Sequence, residues 1–103
     1  MGEKIQNINL PATIDFSIGQ LAICSGTGAV TLTDLTTNMP VLCKMEIQTA
    51  GVTSWIGNIL WAGGVEPVLS SIGIDVIYFQ WDGVSFVHVN SLFDVKTAAV
   101  PPP

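Results

Sequence analysis

The chain has 103 residues, enough for one domain with a small hydrophobic core. Three lysines and no arginine stand against eight acidic residues, a net charge of −5, so a nucleic-acid backbone would meet almost no cationic groups. Only 11% of the residues are charged while 49% are hydrophobic, which leaves little polar cover for the surface. We therefore expect part of the apolar surface to be buried between subunits.

Neither the apolar runs nor the cysteines indicate a membrane protein or a disulfide scaffold. Asp, Gln, Gly and Pro interrupt every run well short of the roughly 20 apolar residues that cross a bilayer. No secretory leader is visible, and the myristoylation pattern fails at Gln6, which predicts a soluble chain that is not exported. Cys24 and Cys43 lack CxxC spacing and lie among apolar residues, so they are expected to be reduced and buried rather than ligands of zinc.

The first third of the chain predicts short strands. Residues 1–10 form an N-terminal arm or edge strand before Pro11. Residues 13–18 alternate between apolar and polar side chains, as a half-buried strand does. The SGTG segment at residues 25–28 lacks the lysine of a P-loop and the third glycine of a dinucleotide fingerprint, so we interpret it as a turn.

The middle of the chain continues this pattern. Residues 41–48 alternate most cleanly, and residues 52–61 form another strand with a break at Gly57 and Asn58. No segment sustains helical spacing of apolar residues. The sequence therefore predicts one all-β domain over residues 1–103, an antiparallel sandwich or barrel with little or no helix, and a flexible proline-rich tail at residues 97–103.

A β-hairpin at residues 74–90 is the strongest local signal. Asp82 and Gly83 separate two apolar runs, and an Asp-Gly pair is typical of a two-residue type I′ turn. That turn would place Trp81 opposite Val84 and Phe79 opposite Phe86. Both faces of the hairpin would be largely apolar, so we expect each face to be covered by other protein, either a second sheet or a second subunit.

Aromatic side chains concentrate in and before this hairpin. They could form a flat apolar face for a glycan, but their position on strands with two apolar faces favours the core or a subunit interface. The candidates are Trp55, Trp61, Tyr78, Phe79, Trp81 and Phe86.

Catalytic chemistry has little support in the sequence. His88 is the only histidine, and Cys24, Cys43 or one of several serines would have to meet it, with Asp75 or Asp82 orienting the ring. No local signature indicates such a pair. Asp75 begins a strand and Asp82 belongs to the turn, where Asp is favoured for structural reasons. We predict no enzymatic activity, no catalytic or metal-binding residues and no cofactor.

Five short motifs occur in a fixed order along the chain. They are VTLT at 30–33, WAGG at 61–64, PVLS at 67–70, IDVI at 74–77 and WDG at 81–83. In this order the chain resembles, over residues 30–89, a β-rich module of bacteriophage virion proteins, especially tail fibres and related surface appendages. Val84 and Phe86 depart from that pattern, which often has Thr and Trp there, and no fibre shaft repeat is present.

The resemblance implies a structural role in a virion assembled in the host cytoplasm. Such modules commonly form homotrimers that decorate or cement a capsid, bound to the major capsid protein. The alternative that it implies is a tail-fibre or tail-tip module that is bound to a tail protein and recognises a host glycan. Neither role requires nucleic acid or a membrane as a partner.

Overall fold

A computed structural model of the chain describes residues 4–49 and 51–95. Seven strands and one short turn of 3₁₀ helix, at Ala62–Gly64, make up its regular structure. The strands are β1 (Ile5–Ile14), β2 (Leu21–Leu32), β3 (Val41–Gln48), β4 (Val52–Ile56), β5 (Ile59–Leu60), β6 (Ile74–Trp81) and β7 (Phe86–Val95). The predicted all-β class with little helix is confirmed. None of the helical residues in the described ranges forms a segment that could cross a membrane.

All strands belong to one sheet that curls into a half-barrel, in the order β1-β2-β3-β6-β7-β5 with β4 beside β2. The expected antiparallel pairing is found between β3 and β6 and between β6 and β7. The prediction of antiparallel pairing is wrong for the other four strand pairs. The pairs β1–β2, β2–β3, β2–β4 and β5–β7 are parallel. The sheet is therefore mixed.

A sharp bend in β1 and β2 explains how parallel neighbours follow one another so closely in the sequence. The side-chain amide of Gln6, near the start of β1, donates hydrogen bonds to the carbonyls of Asp15 (2.9 Å) and Gly19 (2.7 Å). A straight strand would separate residues 6 and 15 by roughly 30 Å. The two strands thus fold back on themselves, and the chain returns to the start of β2 through a short connection instead of a long crossover.

Glycine allows this bend, and the predicted turn at residues 25–28 is corrected to a bent part of one continuous strand. The pairing register shifts in this region, between Leu10 and Ala12 of β1. A Cβ atom on Gly28 would lie only 2.6 Å from the backbone nitrogen of Pro11. Only glycine permits so close an approach of the two backbones.

The predicted strand at residues 13–18 is also wrong in part. β1 begins at Ile5, occupies the edge of the sheet and ends at Ile14. A turn follows, in which the Asp15 carboxylate accepts the backbone N–H of Ser17 at 2.9 Å. Phe16 is buried, as its alternation suggested, but Ile18 is exposed.

The hairpin forms where it was expected, but its turn has four residues and its register differs by two. Asp82 causes this change, because its carboxylate accepts the N–H groups of Val84 (2.9 Å) and Ser85 (2.7 Å). Trp81 therefore pairs with Phe86, and Phe79 pairs with His88. The N–H groups of Ser85 and Val84 also hold the pKa of Asp82 below its usual range.

The inner face of the half-barrel holds the core, whereas the described part of the chain leaves most of the outer face uncovered, with Val76 of β6 as a buried exception. The β6 side chains that point inward are buried, whereas Tyr78 is half-buried and Gln80 exposed on the outer face. The expectation of cover on both faces of the hairpin is therefore met by this chain on one face only. β7 runs on to Val95, five residues beyond the predicted end of the hairpin at residue 90. The proline-rich segment 97–103 lies outside the described residues.

Candidate interaction surface

Three of the six candidate aromatic residues lie in the core. Phe79 and Phe86 are fully buried and Trp81 almost so, and the Trp81 and Phe86 ring centres are 4.8 Å apart. The indole N–H of Trp81 donates to the carbonyl of Thr37 at 2.8 Å, which satisfies its polar group inside the core. These rings are not available to a partner.

Trp55 and Trp61 are half-buried and close one side of the core. Their rings meet edge to face with centres 5.1 Å apart, and Phe79 packs against both at 6.0 and 5.6 Å. Trp61 also contacts the imidazole of His88 at 5.4 Å. The rings pack against one another rather than forming a flat face, so this geometry fits a core role better than a sugar platform.

Tyr78 is the one candidate aromatic on the outer face of the sheet. The Lys44 ammonium lies 5.8 Å from the centre of its ring and 3.6 Å from a carboxylate oxygen of Glu46. This Lys44–Glu46 contact is the only salt bridge within the described residues. The outer face around Tyr78 thus carries a compensated charge pair.

His88 is held by structural hydrogen bonds. Its Nδ1 accepts the backbone N–H of Ala62 at 3.4 Å, and its Nε2 lies 2.6 Å from the hydroxyl of Ser91, to which the neutral ring donates. Cys43 on β3 pairs with Phe79 on β6, and Phe79 pairs with His88 on β7. Cys43 is therefore two strands from His88, a separation of roughly 10 Å. The structure does bring His88 to a serine, Ser91, but Nδ1 of the ring accepts the Ala62 N–H instead of donating to a carboxylate, so no acidic residue orients the ring as in a catalytic triad. The described ranges hold no cluster of three metal-ligating side chains.

Both cysteines are free and buried, as predicted. Burial raises the pKa of Cys24 to about 11 and that of Cys43 to about 12, because the thiolate would lose its hydration. Neither thiol is activated.

Asp75 is the functional side chain whose role the sequence did not reveal. It is 1% exposed, on the inner face of β6. Its carboxylate accepts the backbone N–H of Ser70 (2.7 Å), the hydroxyl of Ser70 (2.5 Å) and the backbone N–H of Asp94 (3.0 Å). The only sign of this role in the sequence is the presence of an acidic residue within the apolar run that forms β6.

Asp75 fixes residues 65–73, which we call the outer loop. Leu69 packs against the core, whereas Val65, Val68 and Ile72 are exposed, Val68 to 88%. An ordered loop that holds apolar side chains in water is suited to contact with another surface.

An open groove of about 410 Å³ lies where the starts of β1, β2 and β3 meet the turn at residues 15–18. Phe16, Leu35 and Val41 provide apolar walls, with Lys4 and Ile18 also lining the opening. We call it the Phe16 groove. Its volume falls within the roughly 300–1,000 Å³ of ligand-binding clefts.

Exposed apolar side chains occur throughout the described surface. Fourteen large ones are between 41% and 88% exposed. They are Ile5, Ile18, Met39, Leu42, Ile56, Leu60, Val65, Val68, Ile72, Val84, Val89, Leu92, Phe93 and Val95. With so few charges among them, this surface is suited to association.

Comparison of the chain with models of protein families, with curated proteins and with solved structures gave no match in any of the three.

Proposed function

We propose that this chain is a non-enzymatic structural subunit of a bacteriophage virion, which forms a homotrimer and binds the capsid surface as a decoration protein. The observation that carries the proposal is the extent of exposed apolar surface on a chain with few charges. Burial of such surface between subunits is favourable by about 25 cal/mol per Å² removed from water. The virion context rests on the motif order at residues 30–89.

The tail-tip alternative would use aromatic rings to bind a host glycan. Trp55 and Trp61 are the half-buried candidates, and their edge-to-face packing offers no stacked platform. The decoration role is therefore the better supported of the two.

Binding to capsid shells tests the proposal. A decoration protein should bind mature empty shells at a saturable stoichiometry and raise the temperature at which they come apart, because it stabilises the state that it binds. The matched sample is the same shell with an unrelated acidic protein of equal size. Absence of shell binding, combined with binding to host cells or glycans, would instead support the tail-tip role.

A further inference from the structure

We propose that the outer loop of one copy inserts into the Phe16 groove of a second copy, with Glu66 facing Lys4. This contact specifies how the copies in the proposed homotrimer meet, and it rests on the self-association that the proposed function assumes. It identifies the two surfaces that meet, which are different parts of the same chain.

Unpaired charges are the first argument. Almost every acidic side chain within the described ranges has an interaction: Asp15 with Ser17, Asp34 with Asn58, Glu46 with Lys44, Asp75 with Ser70, Asp82 with Val84, and Asp94 as well. Glu66 has none among these residues, and Lys4 likewise lacks the ion pair that Lys44 makes. Glu66 and Lys4, the two charged side chains without a hydrogen bond or ion pair to another described residue, thus carry charges of opposite sign.

The surroundings of these two charges are also complementary. Glu66 lies in the outer loop between exposed Val65 and half-buried Pro67, two residues before Val68. Lys4 lines a groove whose walls include Phe16 and Leu35. An apolar loop with one carboxylate therefore matches an apolar groove with one ammonium group, and such complementarity sets both register and partner choice.

The loop is already ordered in the single chain. Asp75 binds Ser70 through two hydrogen bonds, and Leu69 is packed against the core. Proline at position 67 restricts Glu66 to extended backbone conformations. Little conformational entropy remains to be lost when the loop binds.

Within one copy the loop and the groove are far apart. Val41 lines the groove at the start of β3, whereas Asp75, which anchors the loop, pairs with Ile47 near the end of the same strand. Six residues of strand separate these points by roughly 20 Å. The contact therefore joins two copies head to tail, and its repetition around an axis closes a ring such as a trimer.

Charge reversal tests the contact by sedimentation velocity of the full chain over a range of concentrations. Lys4→Glu and Glu66→Lys should each weaken association by about tenfold or more, and the double variant should recover most of the loss because the pair is restored in reverse. Val68→Asp, at the most exposed position of the loop, should weaken it as well. The control is Thr53→Glu, which adds a negative charge at an exposed position of β4 outside both the loop and the groove, and it should associate as the wild type does. Circular dichroism checks that each variant is folded.

The outcomes separate this contact from the proposed function. A wild-type assembly that Lys4→Glu leaves intact, or that Thr53→Glu alone disrupts, would overturn the loop-in-groove contact while the proposed self-association stands. Failure of the double variant to recover association would also overturn the Lys4–Glu66 pairing. A wild-type chain that stays monomeric would overturn both proposals.

Discussion

Asp75 is a carboxylate in a position where its neighbours along β6 are apolar and buried. Three hydrogen-bond donors converge on its two oxygen atoms, so this buried polar group is satisfied without a cation. This arrangement joins the outer loop and the end of β7 to the start of β6. The exposed position of Val68 and Glu66 depends on it.

Replacement of Asp75 by Asn should therefore destabilise the fold by about 2–3 kcal/mol, since an amide group would oppose donors that now face a carboxylate. Urea denaturation gives the free energy of unfolding. Glu46→Gln is the matched control, because it neutralises a carboxylate of a partly exposed ion pair and should cost less than about 1 kcal/mol. Equal losses for the two variants would show that Asp75 has no special structural role.

The buried thiols predict a pH dependence. Both folded-state pKa values, about 11 for Cys24 and about 12 for Cys43, lie above the ordinary value of 9.0. In the unfolded chain the thiols ionise as the pH rises past 9, while in the folded chain they stay protonated, so stability is full below pH 9 and falls above it. Thermal melts from pH 7 to 10.5 should show this fall.

The same pKa shifts predict slow alkylation. At pH 8 only about one Cys24 side chain in a thousand would be thiolate, so iodoacetamide should modify the folded chain far more slowly than the urea-unfolded chain. A Thr53→Cys variant, with its thiol at an exposed position of β4, provides the reactive control. Rapid labelling of the native cysteines would contradict the burial of this core.

The elements differ in how much of them the sequence could predict. β3 was predicted with its bounds, because side chains alternate strictly over eight residues. The hairpin was located by Asp82 and Gly83, but the side chain of Asp82 satisfies two turn N–H groups and lengthens the turn, which the dipeptide alone does not reveal. The continuous strand through Gly26 and Gly28 was missed because glycines that permit a bend and glycines that form a turn look alike.

The site residues show the same limit. The sequence offered the aromatic residues as core or interface candidates, but only strand pairing decides that Phe79 is inside and Tyr78 outside. Lys4 and Glu66 are 62 positions apart in the sequence, and nothing in it marks them as the unpaired charges. That property depends on which partners the fold gives to all the others.

Trp61 tests whether the aromatic cluster belongs to the core. Its ring contacts Trp55, Phe79 and His88, so Trp61→Ala should lower the free energy of unfolding by about 2–3 kcal/mol, somewhat less than for a fully buried ring. Trp61→Phe should lose clearly less, because an aromatic contact is kept. If Trp61→Ala is as stable as the wild type but no longer binds a glycan that the wild type binds, the tail-tip alternative is supported.

In the whole molecule, one curled sheet buries its inner face and leaves its outer face and loops rich in apolar side chains. The described acidic groups without a cation lie in turns, loops and strand ends, away from the Lys44–Glu46 pair on the outer face. Self-association is the common premise of the decoration role and of the loop-in-groove contact.

Sedimentation equilibrium of the full chain at several concentrations tests that premise most directly. Because apolar surface on this scale is expected to be buried between subunits, the mass should approach about three times the 10.9 kDa of a single chain as the concentration rises. A mass of one chain at every concentration would contradict it.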